Sequence, residues 1–513
     1  NMQNLIRIMF SRVFMVASSI IIQAITLLLI IWKFSNYFFL FDVIFTIISV
    51  IVVLTVMNSR SNPSYKIAWI IPIMIFPIFG GLFFLFIGGN RTSNRNKRRM
   101  QEIALKMKQF LRQDNFCINR LFKENKPAAN QSKYIQNYSY CPIYENTYTN
   151  FLAPGETFYE DILIELKKAK HYIFLEFFII EEGKMWNSIL DILQQKVKEG
   201  VDVRVIYDDV GCLFKLPSDY YKKLENMGIK CCVFNRFVPV LSLRLNNRDH
   251  RKIAIIDGHT GYTGGINIAD EYINAVDKFG HWHDSCIVLK GEAVWSFTVM
   301  FLSMWGYLRH VNEDFNEFKP SVYMNIYEVE PNGYVQPFND SPLDDEAISE
   351  TVYLNLINEA DDYIYIETPY LISDYKMMTA LRMAAKRGVE VRIITPHIPD
   401  KWYVHAVTRS NYDELIEDGV FIYEYTPGFV HGKTFVVDDV YAIVGSINLD
   451  YRSLYLHFEC GVWMYKTKSV FEVKNEFLKI LPECELITLE KCKNTKFYIR
   501  LGRMMLKIFA PLM

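Results

Sequence analysis

Net charge is almost absent from this chain: 56 lysines and arginines stand against 57 aspartates and glutamates, leaving −1. A nucleic-acid binder ordinarily carries a basic excess, so no nucleic-acid partner is expected. Paired cysteine spacing is missing too. None of the nine cysteines forms the CxxC pair of a zinc site, and Cys231 and Cys232 are too close together for an ordinary bridge. Such an unpatterned set reads as reduced, buried thiols on a cytosolic face.

Charge is missing altogether from Val13 to Trp32, a run of about twenty residues, enough to cross ~30 Å of hydrocarbon as a helix. Signal-peptide cores are usually shorter, and no small-x-small site follows in "IIWKFSNYF", so a retained anchor is expected. Tyr37–Met57 is a second run, interrupted only by Asp42. Ile67–Gly88 is a third, broken by Pro72, Pro77, Gly80 and Gly81. The basic residues Arg91, Arg95, Lys97, Arg98 and Arg99 follow it and place the large C-terminal part on the cytoplasmic side. Arg7, Arg12, Arg60 and Lys66 ask for that same side, which three full crossings cannot give; a re-entrant third run would. Both topologies remain open, and a multi-pass protein of the cell membrane is expected.

What is present in quantity is repetition. "AKHYIFLEFFII" from Ala169 is echoed by "ADDYIYIETPYLI" from Ala360, 191 residues on. "EGVDVRVIYD" from Glu199 is echoed by "RGVEVRIITP" from Arg387, 188 residues on. Each unit reads strand, amphipathic helix, strand, which predicts an α/β sheet in each half. The boundaries expected are 1–90 for the membrane region, 91–141 for a basic linker, 142–325 and 326–486 for the two α/β domains, and 487–513 for a tail. Similar halves commonly pack about a pseudo-two-fold axis, so equivalent sites can meet at the seam.

The sharpest repeat is "RDHRKIAIIDGHTGYTGGIN" against "FVHGKTFVVDDVYAIVGSIN". Both read H-x-K-x4-D-x6-G-[G/S]-x-N, with His250, Lys252, Asp257, His431, Lys433 and Asp438 as candidate catalytic residues and Asn267, Asn448, Gly265 and Ser446 as candidate substrate-binding residues around an anion hole. On a strand, residues two apart share a face, so each histidine lies beside its lysine. A two-residue turn at Asp257-Gly258 would return Asn267 to the face of His250, with a glycine leaving room for an anion. Two such halves would present two imidazoles, two ammonium groups and two amides to one phosphodiester. One histidine can attack phosphorus while the other protonates the leaving alkoxide, the lysines stabilising charge on the oxygens. Glu459, 28 residues after His431, and Asp284, after the first motif, are candidate supporting carboxylates. No metal or other cofactor is called for, since the lysines carry the positive charge.

These motifs resemble the paired HKD motifs of the phospholipase D superfamily, and their context is similar to the bacterial cardiolipin synthases. "NPSYKIAWIIPIMIFPIFGGLFFLFIGGN", "EGVDVRVIYDDVGC", "ETPYLISD" and "GSINLDYRSLYLHFE" follow that family's order. One departure is "HWHD", where the family often has Trp-Arg-Asp, so His283 takes the arginine's place. The resemblance implies two tandem phospholipase D-like domains behind transmembrane helices. It implies transfer of a phosphatidyl group between two phosphatidylglycerol molecules through a phosphohistidine, the first motif supplying the nucleophile.

The tail "KNTKFYIRLGRMMLKIFAPLM" gathers Lys496, Arg500, Arg503 and Lys507 on one helical stripe, and Phe497, Leu501, Met504 and Ile508 on its neighbour. It suits the surface of an anionic bilayer; packing of its apolar stripe on the catalytic core is the other reading.

Overall fold

The computed structural model describes residues 38–59, 62–76, 94–236, 247–322, 333–343 and 346–512, with isolated positions 25, 29, 81 and 84. Nearly all of Val13–Trp32, most of 77–88 and Arg91 lie outside the described residues. The chain divides into two compact units: Asn1–Ser93 with Asn235–Asn246 and Ile508–Met513, and Asn94–Phe234 with Asn247–Lys507.

In the first unit, helices span Phe38–Asn58 and Pro63–Ile75. The second opens with Asn62 accepting from the Ser64 amide and proline at its first position, an arrangement that satisfies orphan donors where proline needs none. Val52 and Val56 of the first helix pack on Trp69 and Ile73 of the second. Ile44, Ile47, Ile51 and Leu54 face outward. Among the described residues no helix is long and apolar enough to cross a membrane; within Phe38–Asn58, side chains are described only from Val43.

The second unit is built twice. Its first half supplies β1 (Thr147–Leu152), β2 (Tyr172–Phe177), β3 (Asp202–Asp208), β4 (Lys230–Phe234), β5 (Arg248–Asp249), β6 (Lys252–Ile256), β7 (Thr260–Gly264), β8 (His281–His283) and β9 (Cys286–Gly291). The second half supplies β10 (Tyr334–Asp340), β11 (Tyr363–Glu367), β12 (Leu371–Ile372), β13 (Glu390–Pro396), β14 (Phe421–Tyr425), β15 (Gly428–Val430), β16 (Thr434–Val437), β17 (Tyr441–Gly445), β18 (Leu449–Asp450), β19 (His457–Tyr465) and β20 (Cys484–Ile487). The sheet orders are β1-β9-β7-β6-β2-β3-β4 and β10-β19-β17-β16-β11-β13-β14-β20, the same topology with one added edge strand. In each, three adjacent strands toward one end of the sheet (β2-β3-β4 and β11-β13-β14) run parallel, and the motif hairpin runs antiparallel to them. Helices Lys184–Lys198 and Tyr375–Lys386 make the crossovers that parallel neighbours require.

The apolar runs follow from burial on both faces of each sheet. In β6, Ile253 and Ile255 join a core shared by the two sheets, while Ala254 and Ile256 turn into the core of the first half alone. The shared core is filled by helix Val294–Arg309, whose Phe297, Phe301 and Trp305 are buried. A helix packed on all sides has no reason to be amphipathic.

The stretch expected as a linker over 91–141 contains packed helices from 94 on: Asn94–Phe110, Asn115–Glu124 and Lys126–Ser139 bury Met107, Leu121, Ala128 and Ile135 in the second unit. Their apolar residues are sparse, and Leu105, Phe116 and Phe122 among them are exposed. The tail forms a helix over Phe497–Ile508 with none of its residues buried, and Phe497, Leu501, Met504 and Ile508 are exposed. Packing of that stripe on the core is therefore not what is observed.

Candidate active site

Two short strand pairings between the halves position the chemistry. β5, just before His250, runs parallel to the start of β19 of the other half, with Asp249 opposite Phe458. β15, just before His431, runs parallel to β8, with Val430 opposite His283. The next residue on each partner strand is a carboxylate, so the halves exchange them. His250 Nδ1 lies 2.8 Å from Glu459 Oε1, and His431 Nδ1 lies 2.7 Å from Asp284 Oδ2. The sequence placed each carboxylate near the motif of its own half; the pairing is crossed instead.

All six groups are buried: the two histidines are 8% and 7% exposed, and Lys252, Lys433, Asp284 and Glu459 less. Lys252 Nζ donates to the His250 carbonyl at 2.5 Å, and Lys433 donates to that of His431. Burial pushes Lys252 down to about 8 and Lys433 down to about 7, although Asp284 and Glu459 pull both upward. Burial and the charges of Lys252 and Lys433 hold His250 well below the usual imidazole range. His431 is lowered to about 4 by burial and Lys433, with Asp284 pulling the other way. Burial alone would raise Asp284, but His431, Lys433 and the Ser285 amide outweigh it and leave the carboxyl below its ordinary value. Burial works against the charge of both lysines, and a bound anion would favour it.

Four other expectations change on contact with the structure. Asp257 and Asp438 are not at the reacting centre. They lie at the far end of the hairpins, where Asp257 accepts from the amides of Lys170, His171 and Tyr172 and Asp438 from those of Asp361, Asp362 and Tyr363. Five residues along a strand carry them about 16 Å from the motif lysine, so they fasten the motif hairpin to the next strand. The turns hold three residues, with Ile256 opposite Thr260 and Val437 opposite Tyr441. The extra residue changes which face returns. Asn267 accordingly accepts from the Ile179 amide at 3.0 Å and donates to Tyr272 at 2.8 Å. The Tyr272 ring stands edge-on to His431, centroids 5.5 Å apart.

Gly265 and Ser446, expected to line an anion hole, serve the carboxylates. A Cβ on Gly265 would lie 2.1 Å from Asp284 Oδ1. Ser446 Oγ donates to Glu459 Oε2 and accepts from the Cys460 amide. Asn448 keeps a buried Oδ1 without a hydrogen-bond partner, an acceptor available to a hydroxyl and not to a phosphate oxygen.

Several participants went unread in the sequence. Arg251 with Glu176, and Glu367 beside the His283 already noted in "HWHD", lie behind the two motifs, and strand alternation at Arg251, between His250 and Lys252, was the available signal. His457, with both ring nitrogens buried and unpartnered, stands 5.4 Å ring to ring from His250. His250, His457 and Glu459 each offer a ligand atom, all within 4.8 Å of one another. Two imidazoles and a carboxylate suit a zinc-like ion, so the expectation of no cation site has one exception among the described residues.

Residues 162–305 and 353–481 match the family described as "Cardiolipin synthase, PLD-like domain", and 44–89 match "Phospholipase_D-nuclease N-terminal". A cardiolipin synthase of Geobacillus kaustophilus is 32% identical over 92% of this chain and 94% of its own. This chain belongs to the cardiolipin synthase family of phospholipase D-like proteins. Cardiolipin synthase 2 of Bacillus anthracis is 35% identical over 91% of each chain, and an uncharacterised Streptococcus mutans protein is 43% identical over 90% and 99%. Among solved structures, a Haemophilus influenzae phosphatidylserine synthase shares the fold, with TM-score 0.56 and 17% identity over 74% of this chain and 97% of that one. The family's tandem mixed α/β architecture is the one described above.

Proposed function

We propose that the chain makes cardiolipin from two phosphatidylglycerol molecules, releasing glycerol. The observation that carries this reading is the crossed pair of histidine–carboxylate contacts, each beside a buried lysine. Each Nδ1 is committed to a carboxylate, which leaves Nε2 for phosphorus chemistry. His250, kept neutral, attacks the phosphorus of the first lipid. A P–N bond forms, the P–O bond to glycerol breaks, and His431 donates a proton to the departing alkoxide. Neutral His431 then takes the proton from the terminal hydroxyl of the second lipid. That oxygen attacks phosphorus, the P–N bond breaks, and His250 is regenerated.

His431 is the acid in this scheme because Asp284 pulls its pKa upward, and a bound diester would offset the neighbouring lysine charge. Lys252 and Lys433 stabilise the equatorial oxygens, Asn448 offers its Oδ1 to a hydroxyl of the lipid glycerol, and Asn267 acts through Tyr272 on His431. The ends of Glu459 and Asp284 that face away from the histidines are held by Ser446 and by the Ser285 amide. The halves, 142–325 and 326–486, are read as related by a pseudo-two-fold axis, which the reciprocal pairings of β5 with β19 and β15 with β8 support.

Residues 1–90 are read as a multi-pass membrane region with the catalytic unit on the cytoplasmic side. Its outward-facing isoleucines and leucines support that reading, since lipid is the solvent that suits them. The exposed stripes of Phe497–Ile508 suit an anionic bilayer surface, each basic residue contributing about 1 kcal/mol there. Charge reversal at Lys496, Arg500 and Lys507 should then lower activity on anionic vesicles and spare a short soluble diester.

The deciding experiment supplies purified protein with phosphatidylglycerol alone, followed by lipid analysis. Cardiolipin with glycerol is expected. Phosphatidic acid instead would make the chain a hydrolase.

A further inference from the structure

The repeat does not stop at the strands. The offset of 188 residues that carries Glu199 onto Arg387 also carries Phe214 onto Trp402. Each follows the middle strand of its parallel three, β3 ending at Asp208 and β13 at Pro396. Both loops therefore leave the same edge of their sheets, and it is the edge of the motif histidines. Lys252, at the start of β6, lies opposite Phe177, the last residue of β2, and Thr434 likewise lies opposite Glu367.

The first loop is tied to a motif histidine through Phe178, and the second to Tyr370 beyond β11. Cys212 Sγ lies 3.6 Å from the Phe178 carbonyl, and the Phe178 ring is 4.9 Å from that of His250. In the other half Tyr370 donates to Asp400 at 2.5 Å, and the Lys401 ammonium sits 5.7 Å from the Tyr370 ring centre. Phe214, in the turn segment after β3, is 75% exposed, and Trp402, the first residue of helix Trp402–Arg409, is 72% exposed. A single exposed aromatic side chain needs no explanation. Two at the same offset, each in the connection that leaves the histidine edge of its sheet, are a paired feature.

We infer that Phe214 and Trp402 insert into the bilayer on the two sides of the active-site mouth, drawing one lipid headgroup toward each half. Indole prefers the headgroup level and a phenyl ring the acyl boundary, and Lys401, half exposed beside Trp402, suits an anionic headgroup. The inference rests on the cardiolipin synthase reading, which supplies two lipid substrates.

The test uses the full chain in phosphatidylglycerol vesicles. The double variant Phe214→Ser/Trp402→Ser should lose about tenfold in cardiolipin formation, the scale expected when aromatic side chains are withdrawn from an apolar phase. The same variant should turn over a short, water-soluble phosphodiester at the wild-type rate. Separately, Trp402 emission, taken as the difference between wild type and Trp402→Tyr, should be quenched by acyl-brominated phosphatidylglycerol and shielded from iodide. Unchanged vesicle activity, equal loss on both substrates, or quenching by iodide with none by bromolipid would each overturn the inference. Wild-type protein that turns over the soluble diester but makes no cardiolipin would instead sink the parent reading, with the quenching result still deciding insertion.

Discussion

Behind each motif histidine the sheet carries a buried glutamate at the same position, and the two have different company. In the first half Glu176 of β2 lies against the guanidinium of Arg251, which also donates from Nε to Asp249 at 3.0 Å. Two carboxylates share one arginine, whose charge they hold in place against its burial. In the second half Glu367 of β11 finds Gly432 where the arginine would stand; a Cβ there would lie 2.5 Å from Glu367 Oε2. Its neighbour is His283, 3.7 Å away, and neither Nε2 of His283 nor Oε2 of Glu367 has a hydrogen bond. Burial, with Glu476 and Asp284 nearby, pushes Glu367 up to about 8, and burial lowers His283 to about 4. The catalytic pairs match between halves while the charge beneath them does not. Burial raises Glu176 as it does Glu367, with Arg251 opposing it in the first half alone; reaction geometry and sheet support are thus separable demands, met around an arginine in one half and without one in the other.

The largest test of that equivalence is the histidines themselves. His250→Ala and His431→Ala should each cut cardiolipin formation by roughly 10³-fold or more, because nucleophile and acid act as a unit. Acid-quenched enzyme analysed by peptide mass spectrometry should carry the phosphatidyl adduct on His250. An adduct on His431 would reverse the assignment of the halves.

Next come the exchanged carboxylates. Glu459→Gln and Asp284→Asn should lower kcat by roughly 10²- to 10⁴-fold, as when an imidazole loses the group that sets its tautomer, with KM little changed. Steady-state kinetics showing a loss for one and none for the other would mean that only one half uses its pair.

The buried glutamates separate the halves by stability instead. Arg251→Met strands Glu176 and Asp249 and should cost about 3–5 kcal/mol, read as a fall in Tm. For Glu367 the folded pKa is raised, so its contribution is full below about 4.5 and is lost as pH climbs toward 8. Glu367→Gln should therefore raise Tm increasingly from about pH 5 to 8 and level off above. A gain that is flat with pH would remove the neutral-acid account.

Chelation should have the smallest effect. Activity is expected to survive EDTA, since Lys252 and Lys433 supply the charge a cation would. Full loss restored by zinc, and abolished by His457→Gln, would place an ion where the halves meet at His250, His457 and Glu459, and the His431 side would then lack its counterpart.

Much of this was legible in the sequence because duplication doubles every signal. The strand–helix–strand frames at Tyr172 and Tyr363, the motif strands and the identity of both carboxylates follow from pattern and spacing. The crossing of the carboxylates was not legible, since nothing local says that β5 pairs with β19. The roles of Asp257 and Asp438 were misread because motif membership was taken for proximity, when a strand's rise carries them to its other end. Helix Val294–Arg309 and the helices of 94–139 gave weak signals for opposite reasons, one apolar all round and the others mostly polar.

The exchange of strands β5 and β15 bears on descent as well as on chemistry. A duplicated half ordinarily drifts freely once its twin suffices. Here each histidine is completed by a residue encoded in the other copy, so neither copy can decay without disabling both. Arg251 and Gly432 mark where drift was permitted; the four crossed residues mark where it was not.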